Sequence, residues 1–190
     1  NHMAIPWHHL CKEENPPITE AALPEKASII GRTGLMLLSC GTGAWRVRSS
    51  MNTLARTMGI TCTADVGLVS IEYTCIDKTE TFSQSLCLTT TGVNTAKLSE
   101  LENFVLDFPA KHASKTSKHL HKFLDHIEQR PGHYTPPALG LASAVACCAF
   151  TFLLGGGPLE MLCAFFGAGI GNWLRATLTK KGFTLLLCVA

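Results

Sequence analysis

Apolar positions recur along this chain with two different periods, and the places where the period changes divide it into elements. Over residues 24–40 a proline stands where a first helical turn accepts one, and Ile29, Ile30, Leu35, Leu37 and Leu38 follow toward Cys40. Gly41 and Gly43 break that helix. A second helix is expected over residues 44–58, because Val47, Met51, Leu54 and Met58 recur at steps of four, three and four and stack on one face. Arg46, Arg48, Asn52 and Arg56 take the wet side, and Gly59 is a natural stop.

The period then falls to two. Val69, Ile71, Tyr73 and Cys75 alternate with Ser70, Glu72 and Thr74, which predicts a half-buried strand over residues 68–76. Residues 77–80 supply a polar turn, and Phe82, Leu86 and Leu88 return on alternate positions, so the pair reads as a hairpin. A weaker first strand precedes it over residues 60–64. Asn94 is placed to cap a helix in which Leu98, Leu101, Val105 and Phe108 face inward before Pro109. Over residues 114–129, Leu120, Phe123, Leu124 and Ile127 form an apolar side. His112, Lys115, His119, Lys122 and His126 form the opposite one.

Residues 135–157 carry no charged side chain, and their polar groups reduce to Thr135, Ser143 and Thr151. At 1.5 Å per residue such a helix is long enough for the ~30 Å hydrocarbon layer of a bilayer. A water-facing helix of that length would need a polar face. After Gly155, Gly156, Gly157 and Pro158 a second apolar segment runs to Leu174, with Glu160 near its start and an uncharged core of residues 161–174. That core alone reaches only ~21 Å, so a full crossing draws in residues 158–160 and leaves Glu160 at an interface or a polar cavity; a re-entrant helix is the alternative. Gly167 with Gly171, and Gly140 with Ala144, are small-residue pairs at the spacing that lets membrane helices approach closely. A third apolar segment begins at Phe183 and reaches Ala190, too short for a span, so the working protein is expected to be longer.

The expected fold class is therefore an α+β soluble domain, helices flanking a small antiparallel sheet, followed by transmembrane α-helices. The expected divisions are a tag remnant and mobile polar tail at 1–23, a cytoplasmic domain at 24–132, and a membrane region at 133–190. Within the last, spans fall at about 135–155 and 158–175, with a third starting at 183. Asn1, His2 and Met3 resemble residues left by cloning. Lys111, Lys115, Lys118, Lys122 and Arg130 precede the first span, Arg175, Lys180 and Lys181 follow the second, and the loop between has neither Lys nor Arg. That asymmetry puts both basic flanks in the cytoplasm and the glycine loop outside.

Composition narrows the function. A net charge of +2 with no basic cluster of interleaved aromatics argues against nucleic acid as a partner. Nine cysteines without CxxC or framework spacing fit free thiols in a reducing compartment. His112, His119 and His126 stand a heptad apart, about 10 Å between neighbours, too far to share one ion at ~2.1 Å, so no metal site and no cofactor is expected. GxSxG and HExxH are both missing. Cys40 is either a thiol activated by Arg46 or Arg48 or a buried structural cysteine. Within the spans, Asn172, Glu160 and Thr151 are the polar groups available to a substrate path, Asn172 to hydrogen-bond a zwitterion and Glu160 to accept a proton. Asn172 also reads as an interfacial residue beside Trp173 and Arg175.

The ordered blocks LMLLSCGTGAWRVRSSMNTLARTMGI, GLVSIEYTC, TTGVNTAKLSELENFVLDF and a span ending in LLGGG resemble the bacterial threonine/serine exporter family. The likeness covers residues 24–190, with Gly41, Arg46, Gly155, Gly156, Gly157 and Arg175 as its best markers. It departs at Arg48, where relatives often carry an acidic residue. Resemblance implies a multi-pass carrier of the bacterial inner membrane, driven by the proton gradient and exporting threonine or serine, and not an enzyme. Its N-terminal domain would lie in the cytoplasm. It also implies further spans on the same or a partner chain, and the small-residue faces permit a homo-oligomer. Two alternatives stand beside it: a membrane-tethered hydrolase-like enzyme, and a ligand-binding regulatory or assembly module of a dicarboxylate (succinate) exporter.

Overall fold

The computed structural model describes residues 5–10, 16–88, 92–130 and 135–180, with residues 179 and 180 described by backbone alone. The chain forms two compact units, Asn1–Pro131 and Gly132–Ala190. Residues 1–3 and the apolar segment from Phe183 lie outside the described residues.

In the first unit, helices α1 (Leu23–Ser39) and α2 (Ala44–Thr57) precede strands β1 (Thr61–Val66), β2 (Ser70–Asp77) and β3 (Glu80–Cys87), and helices α3 (Thr95–Asp107) and α4 (Ser117–Gln129) follow. The strands form one antiparallel sheet in the order β1-β2-β3. Its inner face presents Cys62, Ile71, Tyr73, Cys75 and Leu86, all buried. Its outer face is Thr63, Asp65, Glu72, Thr74, Ser83 and Ser85, so the period of two is the alternation of core and water. Cys62 faces Cys75 across the β1–β2 pair, and every cysteine among the described residues is a free thiol.

Helix α1 is the centre of this unit. Ile29, Ile30 and Leu37 are fully buried, and the helix touches α2, α3, α4 and the sheet. Gly31 is needed where Tyr73 crosses it: a Cβ there would clash with the hydroxyl end of the phenol, at 2.5 Å from Cζ, and that hydroxyl donates to the Ala27 carbonyl at 3.0 Å. Asn94 caps α3 by accepting from the Lys97 N–H at 3.1 Å, as the sequence implied, and Thr116 caps α4 in the same way at 3.3 Å.

Three placements differ from the periodicity. The weak first strand is real but starts and ends later, at Thr61–Val66, held by the full β1–β2 register. In the N-terminal stretch, Trp7 and Ile18 are buried against the core, and Pro17 bridges to Thr116. Isolated apolar residues in a polar run carry no period, so their burial is unreadable from pattern. His112 was expected on the solvated basic side. It ends a π-helical turn at Phe108–His112 and is half-buried beside the rings of Phe104, Phe108 and Phe123. Burial, the largest effect, holds its imidazole below the ordinary histidine value.

The second unit is an antiparallel helical hairpin of α5 (Pro136–Leu153) and α6 (Pro158–Lys180). By length and composition α5 is long and apolar enough to cross a membrane, and it is the one such helix among the described residues. The expected second span falls on α6, which is longer but has Glu160 in its first turn and Arg175 in its second half. Both helices carry large apolar side chains outward, among them Leu141, Phe150 and Phe152 on α5 and Leu162, Phe166 and Ile170 on α6. Water opposes that arrangement and lipid does not.

Candidate functional site

The glycine loop joining α5 to α6 is explained link by link by backbone chemistry. Gly155 takes φ +83°, a left-handed conformation that ends α5 at little cost only in glycine. Its N–H donates to the Phe152 carbonyl at 3.0 Å and the Gly156 N–H to the Thr151 carbonyl at 2.9 Å, the paired bonds of a Schellman cap. A Cβ on Gly156 would stand 2.6 Å from Thr151 Cγ2. Gly157 then caps α6: its N–H donates to Glu160 Oε2, with Pro158 at the first helical position. Thus the Glu160 carboxylate lies in the loop it helps close, exposed rather than within the helix pair.

Along the hairpin the two small-residue pairs behave differently. Gly140 and Ala144 form the seam: a Cβ on Gly140 would meet Trp173 Cβ at 2.8 Å and the Gly169 carbonyl at 2.9 Å, and Ala144 abuts Gly169. Gly167 and Gly171 face open space. Asn172 Nδ2 donates to the Leu139 carbonyl of the partner helix at 3.1 Å, and Thr151 Oγ1 donates back to the Cys147 carbonyl at 2.9 Å. Arg175 is exposed on α6. These expected path residues therefore sit along one hairpin, Thr151 and Glu160 near its loop and Asn172 near its open end, and the structure does not bring the three together.

In the first unit the markers Gly41 and Arg46 flank the α1–α2 turn. Gly41 ends α1 with φ +81°, donating to the Leu38 carbonyl at 3.0 Å, and leaves room for Val93, which a Cβ would approach to 3.3 Å. Residues 38, 41–44 and 66–69 wall a groove of about 620 Å³. Arg46 does not enter it. Its guanidinium pairs with Glu102 at 2.9 Å and lies 5.4 Å from the Trp45 ring centre. Arg48 donates from Nε to the Ala64 carbonyl at 3.0 Å, tying α2 to β1. With both arginines engaged elsewhere, neither Arg46 nor Arg48 activates Cys40. Burial pushes its thiol up, against smaller opposing effects of the Ser39 hydrogen bond and the Lys97 charge.

The densest polar cluster was not singled out by the sequence. Arg32, 3% exposed, reaches from α1 to α4. One of its terminal nitrogens lies 3.3 Å from His121 Nδ1 and donates to the His121 carbonyl at 3.1 Å. The other donates to Asp125 at 2.5 Å and to Glu128 at 2.7 Å. His8 reaches Asp125 at 2.9 Å from outside. Ser28 Oγ donates to the Glu25 carbonyl at 2.7 Å and so must accept from His121 Nε2 at 3.0 Å. That fixes a neutral imidazole with Nε2 protonated and the Nδ1 lone pair turned to Arg32. Burial first, then the Arg32 and His8 charges, push its pKa down to about 3. Burial alone would raise Asp125, but the Arg32 and His8 bonds and charges outweigh it and hold the carboxyl below its ordinary value. Serine and histidine here run opposite to a nucleophile and its base: the imidazole donates to the hydroxyl. A spacing signal existed, since Ser28 and Arg32 on α1 match His121 and Asp125 on α4, each pair four apart.

The family model described as "Putative threonine/serine exporter" matches residues 28–190. The chain belongs to that family. The match runs through α1, the sheet, α3, α4 and both hairpin helices, so neither unit is an unrelated attachment. No curated protein and no solved structure matches the chain. Membership in the threonine/serine exporter family supports amino-acid transport across a membrane as the family's activity, and with it lipid and a small substrate as partners. Among the described residues no group of three His, Cys, Asp or Glu is placed to hold a metal ion.

Proposed function

We propose that this chain is part of a bacterial inner-membrane secondary exporter of small hydrophilic metabolites, threonine or serine first among them, driven by the proton gradient. Family membership over residues 28–190 carries the reading. The outward apolar surface of α5 and α6 supports it, because a helical hairpin with its large side chains turned outward is stable where lipid replaces water. In this reading residues 24–132 are a cytoplasmic domain and 133–190 a membrane region. The basic residues flanking the hairpin face the cytoplasm, the glycine loop faces outward, and α6 crosses with Glu160 at the far interface. Further spans come from the same or a partner chain, and the open Gly167–x₃–Gly171 face of α6 is available to a second copy.

The substrate path of this proposal uses Asn172, Glu160 and Thr151, with Glu160 as the proton acceptor. Glu160→Gln separates its two roles, because glutamine keeps an oxygen for the Gly157 N–H and cannot carry a proton. In vesicles containing the full chain with whatever subunits complete it, labelled threonine is expected to exchange in a gradient-dependent way, and Glu160→Gln to keep the fold but lose most of that dependence. Unchanged coupling in the variant removes Glu160 from the proton path. Transport of succinate in place of threonine and serine reassigns the substrate class, and transport of none of them overturns the exporter reading of this chain.

A further inference from the structure

Strand β2 is bonded on both sides, and its two ladders fix which way each residue turns its backbone. The Gly67 N–H donates to the Ser70 carbonyl at 2.9 Å. Bonded and unbonded pairs alternate from there, so Asp65 with Glu72, Thr63 with Thr74 and Thr61 with Ile76 are the hydrogen-bonded pairs of β1 and β2. On the other side the Leu88 N–H donates to the Val69 carbonyl at 2.8 Å, which makes Cys75 with Phe82 a bonded pair of β2 and β3. Both ladders agree on Cys75. Its backbone groups turn to β3, and toward β1 it forms a non-hydrogen-bonded pair with Cys62. In such pairs the Cα atoms stand about 4.5 Å apart and the side chains lie close together. That separation falls within the range a disulfide spans, about 4.4–6.8 Å. Both thiols sit on the inner face of the sheet, Cys62 6% exposed and Cys75 fully buried. Cys87, the other strand cysteine, faces Ser70 instead.

We propose that Cys62 and Cys75 are an oxidation site, a dithiol that hydrogen peroxide closes to a cross-strand disulfide inside the folded sheet. Their roles are unequal. The Cys75 hydrogen bond holds the Cys62 thiol below the ordinary cysteine value and outweighs burial, while the same bond, with burial, raises Cys75. Cys62 is therefore the attacking sulfur and Cys75 the resolving one. Cys62 also stands on β1, the outer strand of the sheet, where a molecule little larger than water reaches it. Its thiolate attacks one peroxide oxygen: the S–O bond forms, the O–O bond breaks, and the released hydroxide takes up a proton as water. The Cys75 sulfur then attacks the Cys62 sulfur of the resulting sulfenic acid. The S–S bond forms, the S–O bond breaks, and the second oxygen leaves as water with the Cys75 proton. Two thiols are oxidised and one peroxide is reduced to two waters. Closure ties the outer strand to the central one by a covalent bond, independently of what the exporter carries.

No lysine or arginine lies between Arg56 and Lys78, so trypsin leaves both thiols on one peptide, residues 57–78. The test treats the reduced full chain in detergent with about one equivalent of hydrogen peroxide, then blocks free thiols with N-ethylmaleimide in urea and weighs that peptide. The expected peptide is lighter by two hydrogens and carries no maleimide, and dithiothreitol before blocking restores both labels. In Cys75→Ala the same dose is expected to leave Cys62 as a sulfenic acid that dimedone captures. In Cys62→Ala, Cys75 is expected to remain a thiol. If the wild-type peptide keeps two labelled thiols while the exposed Cys87 and Cys163 are oxidised, the site is overturned and the pair only fills the core. A sulfenic acid that persists at Cys62 in wild type, or a disulfide from Cys62 to any other cysteine, overturns Cys75 as the resolving thiol. The wild-type peptide decides even if neither variant folds.

Discussion

Replacing Arg32 with alanine is expected to destabilise the first unit by about 3 kcal/mol, near the low end for breaking a buried charge network because Asp125 and Glu128 reach solvent and can rehydrate. The loss falls mainly on what stays buried. His121 Nδ1 and its carbonyl lose their donor, and the guanidinium leaves a void between α1 and α4. For a unit of this size that corresponds to a fall of about 10 °C in the thermal midpoint of the full chain in detergent. Arg32→Lys keeps the charge but not the fork that serves His121, Asp125 and Glu128 together, so an intermediate fall is expected. A midpoint unchanged in Arg32→Ala contradicts the network.

The second large effect is acid sensitivity of the same cluster. His121 titrates near 3 in the fold against 6.5 for a free histidine, so as pH falls the unfolded chain takes up the proton first. Its contribution to stability is complete above about pH 6.5 and drains away down to about pH 3. Between pH 6.5 and 5 alone the loss is about 2 kcal/mol. His112, also depressed by burial, adds a smaller loss of the same sign. Asp125 adds none in that interval: with its folded value lowered, its stabilisation is complete above the ordinary carboxylate range and is lost only as pH falls through that range toward the lowered value. His121→Gln, which does not titrate, is expected to be less stable at pH 7 but to lose less between pH 7 and 5, measured by urea unfolding across pH. Parallel pH slopes for wild type and variant contradict a neutral buried imidazole.

Periodicity was a good guide wherever a face was either wet or buried. It found α1, α2, α3 and α4 of the first unit and the β2–β3 hairpin, because in each the apolar step matches the element's own repeat. It could not find the inside of α1. Glu25, Lys26, Ser28, Arg32 and Thr33 are buried, and no hydrophobic pattern marks polar residues such as Ser28 and Arg32, whose partners on α4 lie some 90 positions away. Trp7 and Ile18 were hidden for the complementary reason, being single apolar residues in a polar run.

In the second unit, sequence offered two small-residue pairs with equal claim. Only the packing of α5 on α6 selects Gly140 and Ala144 for the seam and leaves Gly167 and Gly171 outside it. The markers of family resemblance divide similarly. Gly41 and Gly155 hold left-handed turns, Gly156 sits where a Cβ would clash with Thr151, Gly157 gives its N–H to Glu160, and Arg46 makes a surface ion pair; each has a local physical reason to be what it is. Substrate chemistry leaves no such local trace, since Asn172, Glu160 and Thr151 all have partners within the hairpin.

The proposed exporter requires α5 and α6 to be embedded in lipid. Alkaline carbonate washing of membranes containing the full chain tests this most directly, because it strips proteins held by charge or by surface contact and leaves those whose helices lie among acyl chains. The expected result is that the chain stays in the lipid pellet after washing. Its complete release into the aqueous supernatant would contradict the membrane placement and the exporter mechanism built on it.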